Sequence, residues 1–277
     1  MSASTGSWFQ DSWKRWLGWL LLATVFAVSC FFLASWQFNR RSEAVAKIDL
    51  VTKNYDQQPI ELEELVGSTG FNPADEWRPA SLTGRFFPEE AVLVRNRPYN
   101  GSPGFLQVIP FQLTTGQLVA VETGWLATDE NLNPPKVIPL PSDAITSIWG
   151  RLRPAEPLLG RSAPAGQIPT INIEALEGKT SVSGSFYQDF YVRLGDGYAT
   201  AGQAPKGLPM PELTEGNHLS YALQWILFAL MAMFALVWGV RQEQEFRKIA
   251  NDPTYVPKKR RKQLGDEDKA VEDALIG

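Results

Sequence analysis

The chain of 277 residues carries one histidine and one cysteine, which narrows the chemistry it can perform. A single cysteine leaves no intramolecular disulfide and no CxxC-type zinc or redox pair. A single imidazole excludes His-rich metal centres. No GxSxG, HExxH, P-loop or GxGxxG motif occurs. The adjacent carboxylates Glu63/Glu64 and Glu89/Glu90 have the pattern of solvated edges rather than of an acid–base pair. Cys30 falls inside an apolar run, where a small residue in lipid or between helices is expected. His218 remains. In GNHLSYALQW it follows Asn217, a suitable helix N-cap, and shares a helix face with Tyr221 and Trp225 at i+3 and i+7. The positive end of the helix dipole favours a neutral imidazole there. Such a group can ligate a metal or haem iron, or it can simply pack on tryptophan at an interface.

Two apolar runs must position this residue. The first, Trp16–Phe38, holds no charge, and the second, Tyr221–Val240, holds one amide, Gln224. Each matches the roughly 20 helical residues needed to cross about 30 Å of hydrocarbon. Trp13, Trp16, Trp19 and Trp36 bracket the first, and Trp225 and Trp238 the second, as an interfacial aromatic belt would. The first run is longer than a signal-peptide core and continues into LASWQFNRR without a cleavage site, so a retained anchor is expected.

Lysine and arginine near the ends set the orientation. Arg241, Arg247, Lys248 and the run Lys258–Lys262 (KKRRK) follow the second span, and Lys14 and Arg15 precede the first; Arg40 and Arg41 run against them. The positive-inside rule therefore puts both termini in the cytoplasm. The expected organisation is a cytoplasmic N-terminus over 1–15, a span over 16–38, an exported domain over 39–217, a span over 218–240 and a cytoplasmic, partly disordered basic tail over 241–277. The stretch Arg41–Asn217 carries 14 Lys/Arg and 21 Asp/Glu, a net charge of −7. The whole chain, at −4, lacks the positive surplus of a nucleic-acid binder.

The exported part reads mostly as strand. Ala80–Phe87, Ala91–Arg97, Gly104–Leu113, Gln117–Trp125 and Ile145–Arg153 alternate or run apolar, and Pro169–Ile173 and Ser185–Leu194 are later candidates. NGSPG at Asn100–Gly104 and TTGQ at Thr114–Gln117 have hairpin-turn composition. The first helix should run on to about Tyr55, and Pro59–Val66 suits a short helix or strand. The fold class expected is membrane-anchored α+β: two transmembrane helices flanking an antiparallel β-rich domain, a small barrel or sandwich. In an antiparallel hairpin the outer ends of the two spans share a depth. Trp36, Gln37, Arg40, His218, Tyr221, Gln224 and Trp225 should then converge at the outer interface, in a patch suited to a flat amphipathic ligand or to another membrane protein.

The sequence resembles the Surfeit-locus-one family, assembly factors of haem–copper cytochrome c oxidase. LASWQFNRR at Leu33–Arg41 looks like that family's first-helix exit, and LTGRFFPEEAVLVRNRPYNGSPGFLQVIPFQL at Leu82–Leu113 is similar to its strand–turn–strand core. VETGWLAT at Val121–Thr128 looks like its glycine–tryptophan strand, with Thr123 where an arginine is usual, and NHLSYALQW at Asn217–Trp225 is similar to the start of its second helix. The resemblance covers about Trp16–Val240. It implies a non-enzymatic membrane protein of the respiratory chain, acting as a chaperone in the cell (inner) membrane. Such a protein assists haem a insertion into oxidase subunit I or holds that subunit, and it can remain bound to the oxidase or supercomplex. It further implies His218 as a haem a ligand, with Arg40 opposite a propionate, and a fold-supporting role for Gly124 and Trp125. The residues alone leave open a membrane-tethered enzyme or substrate-binding module.

Overall fold

A computed structural model describes residues 12–67, 70–195, 204–252 and 254. The basic run Lys258–Lys262 and the tail expected to be loosely structured lie outside the described residues. The chain divides into two compact units, residues 1–42 with 216–277, and residues 43–215.

The first unit is built on two long helices. Helix α1 (Ser12–Asn54) is continuous for 43 residues, and α4 (His218–Asn251) for 34. Both are long and apolar enough to cross a membrane. Their large apolar side chains point outward: Leu21, Phe31 and Phe234 are 66%, 68% and 72% exposed, as residues bathed in lipid would be. The residues turned inward are small. Cys30 and Ala34, one turn apart on α1, and Ala222 on α4 are buried, and small residues let two helix backbones approach closely. The helices are tied at both ends. Glu243 of α4 accepts hydrogen bonds from Arg15 and from the Trp16 indole of α1, and Gln37 of α1 meets His218 of α4.

The second unit is a barrel. Its strands are β1 (Ile60–Glu61), β2 (Pro79–Phe86), β3 (Val92–Val94), β4 (Gly104–Leu113), β5 (Leu118–Ala127), β6 (Thr146–Pro154), β7 (Gln167–Ile168) and β8 (Phe190–Leu194), with two short helices, α2 (Leu62–Val66) and α3 (Ile173–Glu177). The hydrogen-bonded order β2–β6–β8–β5–β4 closes on itself because β4 also pairs with β2. Every pairing in this ring is antiparallel except β5–β8. Five strands thus form a closed barrel, which leaves no edge within the ring. The short β3 and β7 extend the sheet from β4, and β1 adds to β2.

The sequence pattern explains where the strands bury their faces. Leu82, Phe86, Ile109, Phe111, Val119, Val121, Leu152, Phe190 and Val192 come from all five ring strands and fill the barrel. The intervening residues Leu118 and Ala120 join Val94, Leu106, Val108, Ile168, Ile171, Ile173 and Leu176 in a second core outside it. With both faces buried, β5 reads as the unbroken apolar run LVAV rather than as an alternation. The hairpins use the expected turns. Asn100 and Gly101 both have positive φ, 49° and 77°, as a type I′ turn requires.

Three segments depart from the sequence expectation. Pro169–Ile173 is not a strand: only Gln167–Ile168 pairs, with β3, and Ile173 opens α3 because the Asn172 carboxamide caps it, accepting from Ala175 N at 2.9 Å. Ser185–Leu194 is strand only from Phe190. Ala91–Arg97 is strand only over Val92–Val94, and Asn96 at φ 55° turns the chain out of the ladder. Pro59–Val66 contains both structures in succession, β1 and α2.

Candidate functional site

The site singled out in the sequence lies where α1 and α4 meet. His218 is the first residue of α4. Asn217 occupies the cap position, but its side chain makes no capping bond, and its carbonyl instead takes the amide of Tyr221 at 3.1 Å. The imidazole is turned towards α1, with Nδ1 2.8 Å from Gln37 Oε1. An amide oxygen only accepts hydrogen bonds, so in the neutral ring Nδ1 carries the hydrogen and Nε2 is left with a lone pair. Gly216 stands beside that lone pair in the left-handed region, at φ 67°; a Cβ there would lie 3.6 Å from Nε2 and from Cδ2. The approach to Nε2 is therefore clear of side chain at this residue.

Around this pair, Trp36 and Tyr221 are about half exposed, at 55% and 51%. Gln224 and Arg40 are exposed, and Trp225 is half-buried with its ring edge-on to Phe228. Of the expected cluster, Gln37 and His218 are in direct contact; Trp36 and Arg40 lie on the same helix as Gln37, and Tyr221, Gln224 and Trp225 on the same helix as His218. The donor set fits a haem. One imidazole nitrogen is available as a ligand, exposed indole and phenol rings offer flat apolar faces, and a guanidinium one turn from Trp36 suits a carboxylate. Cys30 is a free, buried thiol. Among the described residues no group of three or more His, Cys, Asp and Glu side chains could hold a metal ion.

Gly124 and Trp125 sit in a β-bulge. The β4–β5 register shifts between Gln107 and Val108, which pair with Gly124 and Glu122, so Thr123 is the extra residue. Its hydroxyl bonds the Gln107 side chain at 2.6 Å. Gly124 adopts φ 138°, and a Cβ on it would meet the Lys206 carbonyl oxygen at 2.8 Å. Trp125 exchanges backbone hydrogen bonds with Lys206 and donates its indole N–H to the Arg97 carbonyl.

A second cluster was not legible in the sequence. Glu122 is 1% exposed and is paired with Arg193 of β8, Nε to Oε2 at 2.8 Å. Its other oxygen has no hydrogen-bond partner. Arg153 bonds Glu76 at 2.7 Å and stacks over Trp77 at 3.8 Å, and Arg97 pairs with Glu156. Burial raises the Glu122 carboxyl above its ordinary value of 4.5, and Arg193, Arg153 and Arg97 pull it back down. The only sequence signal is a lone carboxylate inside the buried run LVAVETGW. Its partner depends on the parallel β5–β8 pairing, which sequence periodicity does not reveal.

Comparison with known proteins places this architecture. The SURF1 family model matches residues 24–230. An uncharacterised SURF1-like protein of Mycobacterium bovis is 29% identical over 243 residues, covering 83% of this chain and 86% of that protein. An uncharacterised SURF1-like protein of Mycobacterium tuberculosis strain H37Rv gives the same figures. A SURF1-like protein of Dictyostelium discoideum is 27% identical over 115 residues, 39% of this chain and 43% of that protein. The family match takes in Trp36–Arg40, every barrel strand and His218–Trp225. The chain therefore belongs to the SURF1 family, a family associated with the assembly of cytochrome c oxidase.

Proposed function

We propose that this protein is a non-enzymatic assembly factor of a haem–copper cytochrome c oxidase, and that it assists the insertion of haem a into subunit I. Membership of the SURF1 family over most of the chain carries this reading. The arrangement at the helix junction supports the haem part: His218 offers Nε2, Trp36 and Tyr221 offer exposed ring faces, and Arg40 stands one turn from Trp36. His218 would hold the haem iron through Nε2, Arg40 would meet a propionate, and Trp36 and Tyr221 would lie against the porphyrin. The barrel is free to dock on subunit I or on the finished oxidase. The protein sits in the cell membrane with two spans, both termini in the cytoplasm and the barrel outside.

The test is isolation in a mild detergent from cells that make the oxidase, with an absorption spectrum of the purified protein. Oxidase subunit I should co-purify, and His218→Ala should lose the haem spectrum and lower oxidase haem content at normal protein abundance. Wild-type haem occupancy and oxidase assembly in that variant would end the ligand role. A deletion strain with full oxidase haem content would end the assembly role.

A further inference from the structure

We infer that Gln37 is a positioning residue: its amide oxygen holds His218 in the Nδ1–H form and so aims Nε2 at the haem iron. The inference rests on the reading of His218 as a haem ligand and adds the group that prepares it. The contact, 2.8 Å from Nδ1 to Oε1, is within the ordinary N–H···O range. A histidine that binds a metal through Nε2 needs its proton on Nδ1 and an acceptor to keep it there. Gln37 is placed to serve because of the face it occupies. Ala34 and Cys30, three and seven residues before it on α1, are the buried residues of that helix's apolar run, and Ala222, four residues after His218 on α4, is likewise buried. The hydrogen bond therefore joins the two helices at the end where these small residues are buried. Both partners are half-buried, so water competes weakly for the bond. Gly216 completes the arrangement by leaving the other side of the ring uncovered at its position.

The choice of amide over carboxylate has a chemical consequence. A carboxylate accepting from Nδ1–H draws the proton towards itself and makes the imidazole a stronger donor to iron. A neutral amide fixes the tautomer without that gain. The ligand is then oriented but only moderately basic, which suits a haem that must be handed on rather than kept.

The chain has one histidine, so its ring nitrogens give an unambiguous spectrum. The full-length protein, labelled with 15N-histidine and placed in nanodiscs, should show a protonated Nδ1 and an unprotonated Nε2. Gln37→Leu should shift the population towards Nε2–H and weaken the uptake of haemin, used as the probe, by about 10-fold or more. Gln37→Glu should retain the Nδ1–H form, bind haemin at least as tightly as the wild type and lower the reduction potential of the bound haem. A wild-type ring with its proton on Nε2, or a Leu variant with wild-type tautomer and haemin affinity, overturns the inference. A wild-type protein that shows the Nδ1–H form yet takes up no haemin supports the positioning contact and overturns the haem reading instead.

Discussion

Gly124 holds a conformation that an L side chain rarely adopts, and it does so with the backbone of Lys206 pressed against it. A side chain there meets backbone strain of order 1–3 kcal/mol and a clash worth a similar amount. Gly124→Glu should therefore destabilise the barrel by about 2 kcal/mol or more, lowering its thermal midpoint and the steady-state level of the protein. Unchanged abundance and an unchanged melting midpoint would refute this. Two residues away, Glu122 makes a pH-dependent contribution. Its carboxyl is raised in the fold by burial, ahead of the lowering effect of Arg193, so its stabilising contribution is full below the unfolded value near 4.5 and declines as pH rises through the folded value. The difference in melting midpoint between Glu122→Gln and the wild type should therefore drift in the variant's favour as pH rises above 4.5, whatever offset the loss of the Arg193 partner imposes. A pH-independent difference would count against it. At this scale the sequence spoke through punctuation. The lone histidine stood out by type alone and Gly124 through the family resemblance, whereas Glu122 did not stand out, because a carboxylate in a strand acquires its meaning from the strand laid beside it.

At the scale of elements, the strands with a strong apolar signature were legible and the short ones were not. β4 and β5 each bury both faces over 10 residues, so their composition declares them. β3, β7 and β8 are held by their neighbours in the sheet rather than by their own pattern; the expected bounds of β3 and β8 are too long, and β7 lies just before the strand expected at Pro169–Ile173. Helix α3 went unseen because five residues, IEALE, are too few to show a helical period. What makes it a helix is local and polar. The Asn172 side chain caps it through Ala175 N at 2.9 Å while its amide reaches the Glu156 carbonyl at 3.0 Å, and Ile173 and Leu176 bury into the second core. Asn172→Ala removes both bonds and should cost about 1–2 kcal/mol. Asn172→Asp keeps the cap and should cost less. Equal destabilisation of the two variants in chemical denaturation would show that the cap does not matter and that packing alone holds α3.

At the scale of the whole molecule, the two clamps between α1 and α4 fix the sense of the hairpin. Gln37 and His218 meet at one end, and Arg15, Trp16 and Glu243 at the other. The start of α1 and the end of α4 thus lie at one end of the helix pair, and Gln37 and the start of α4 at the other. If the hairpin spans a bilayer, both termini share a compartment and the barrel lies in the other. Which compartment is set by charge. Lys14, Arg15, Arg241, Arg247, Lys248 and Lys258–Lys262 flank the terminal side, against Arg40, Arg41, Lys47 and Lys206 on the other. By the positive-inside rule this excess predicts the termini on the cytoplasmic side. Alkaline phosphatase fused after Gly166, an exposed residue just before β7, should therefore be active, and the same enzyme fused after Gly265 should be inactive. Replacing Lys258–Lys262 by glutamine should raise the activity of the Gly265 fusion, because that run supplies five of the basic residues on which the predicted orientation rests. An active Gly265 fusion in the unaltered chain, with a silent one at Gly166, would invert the topology. It would also place His218 and Gln37 at the cytoplasmic boundary, so that haem would have to be met there rather than outside.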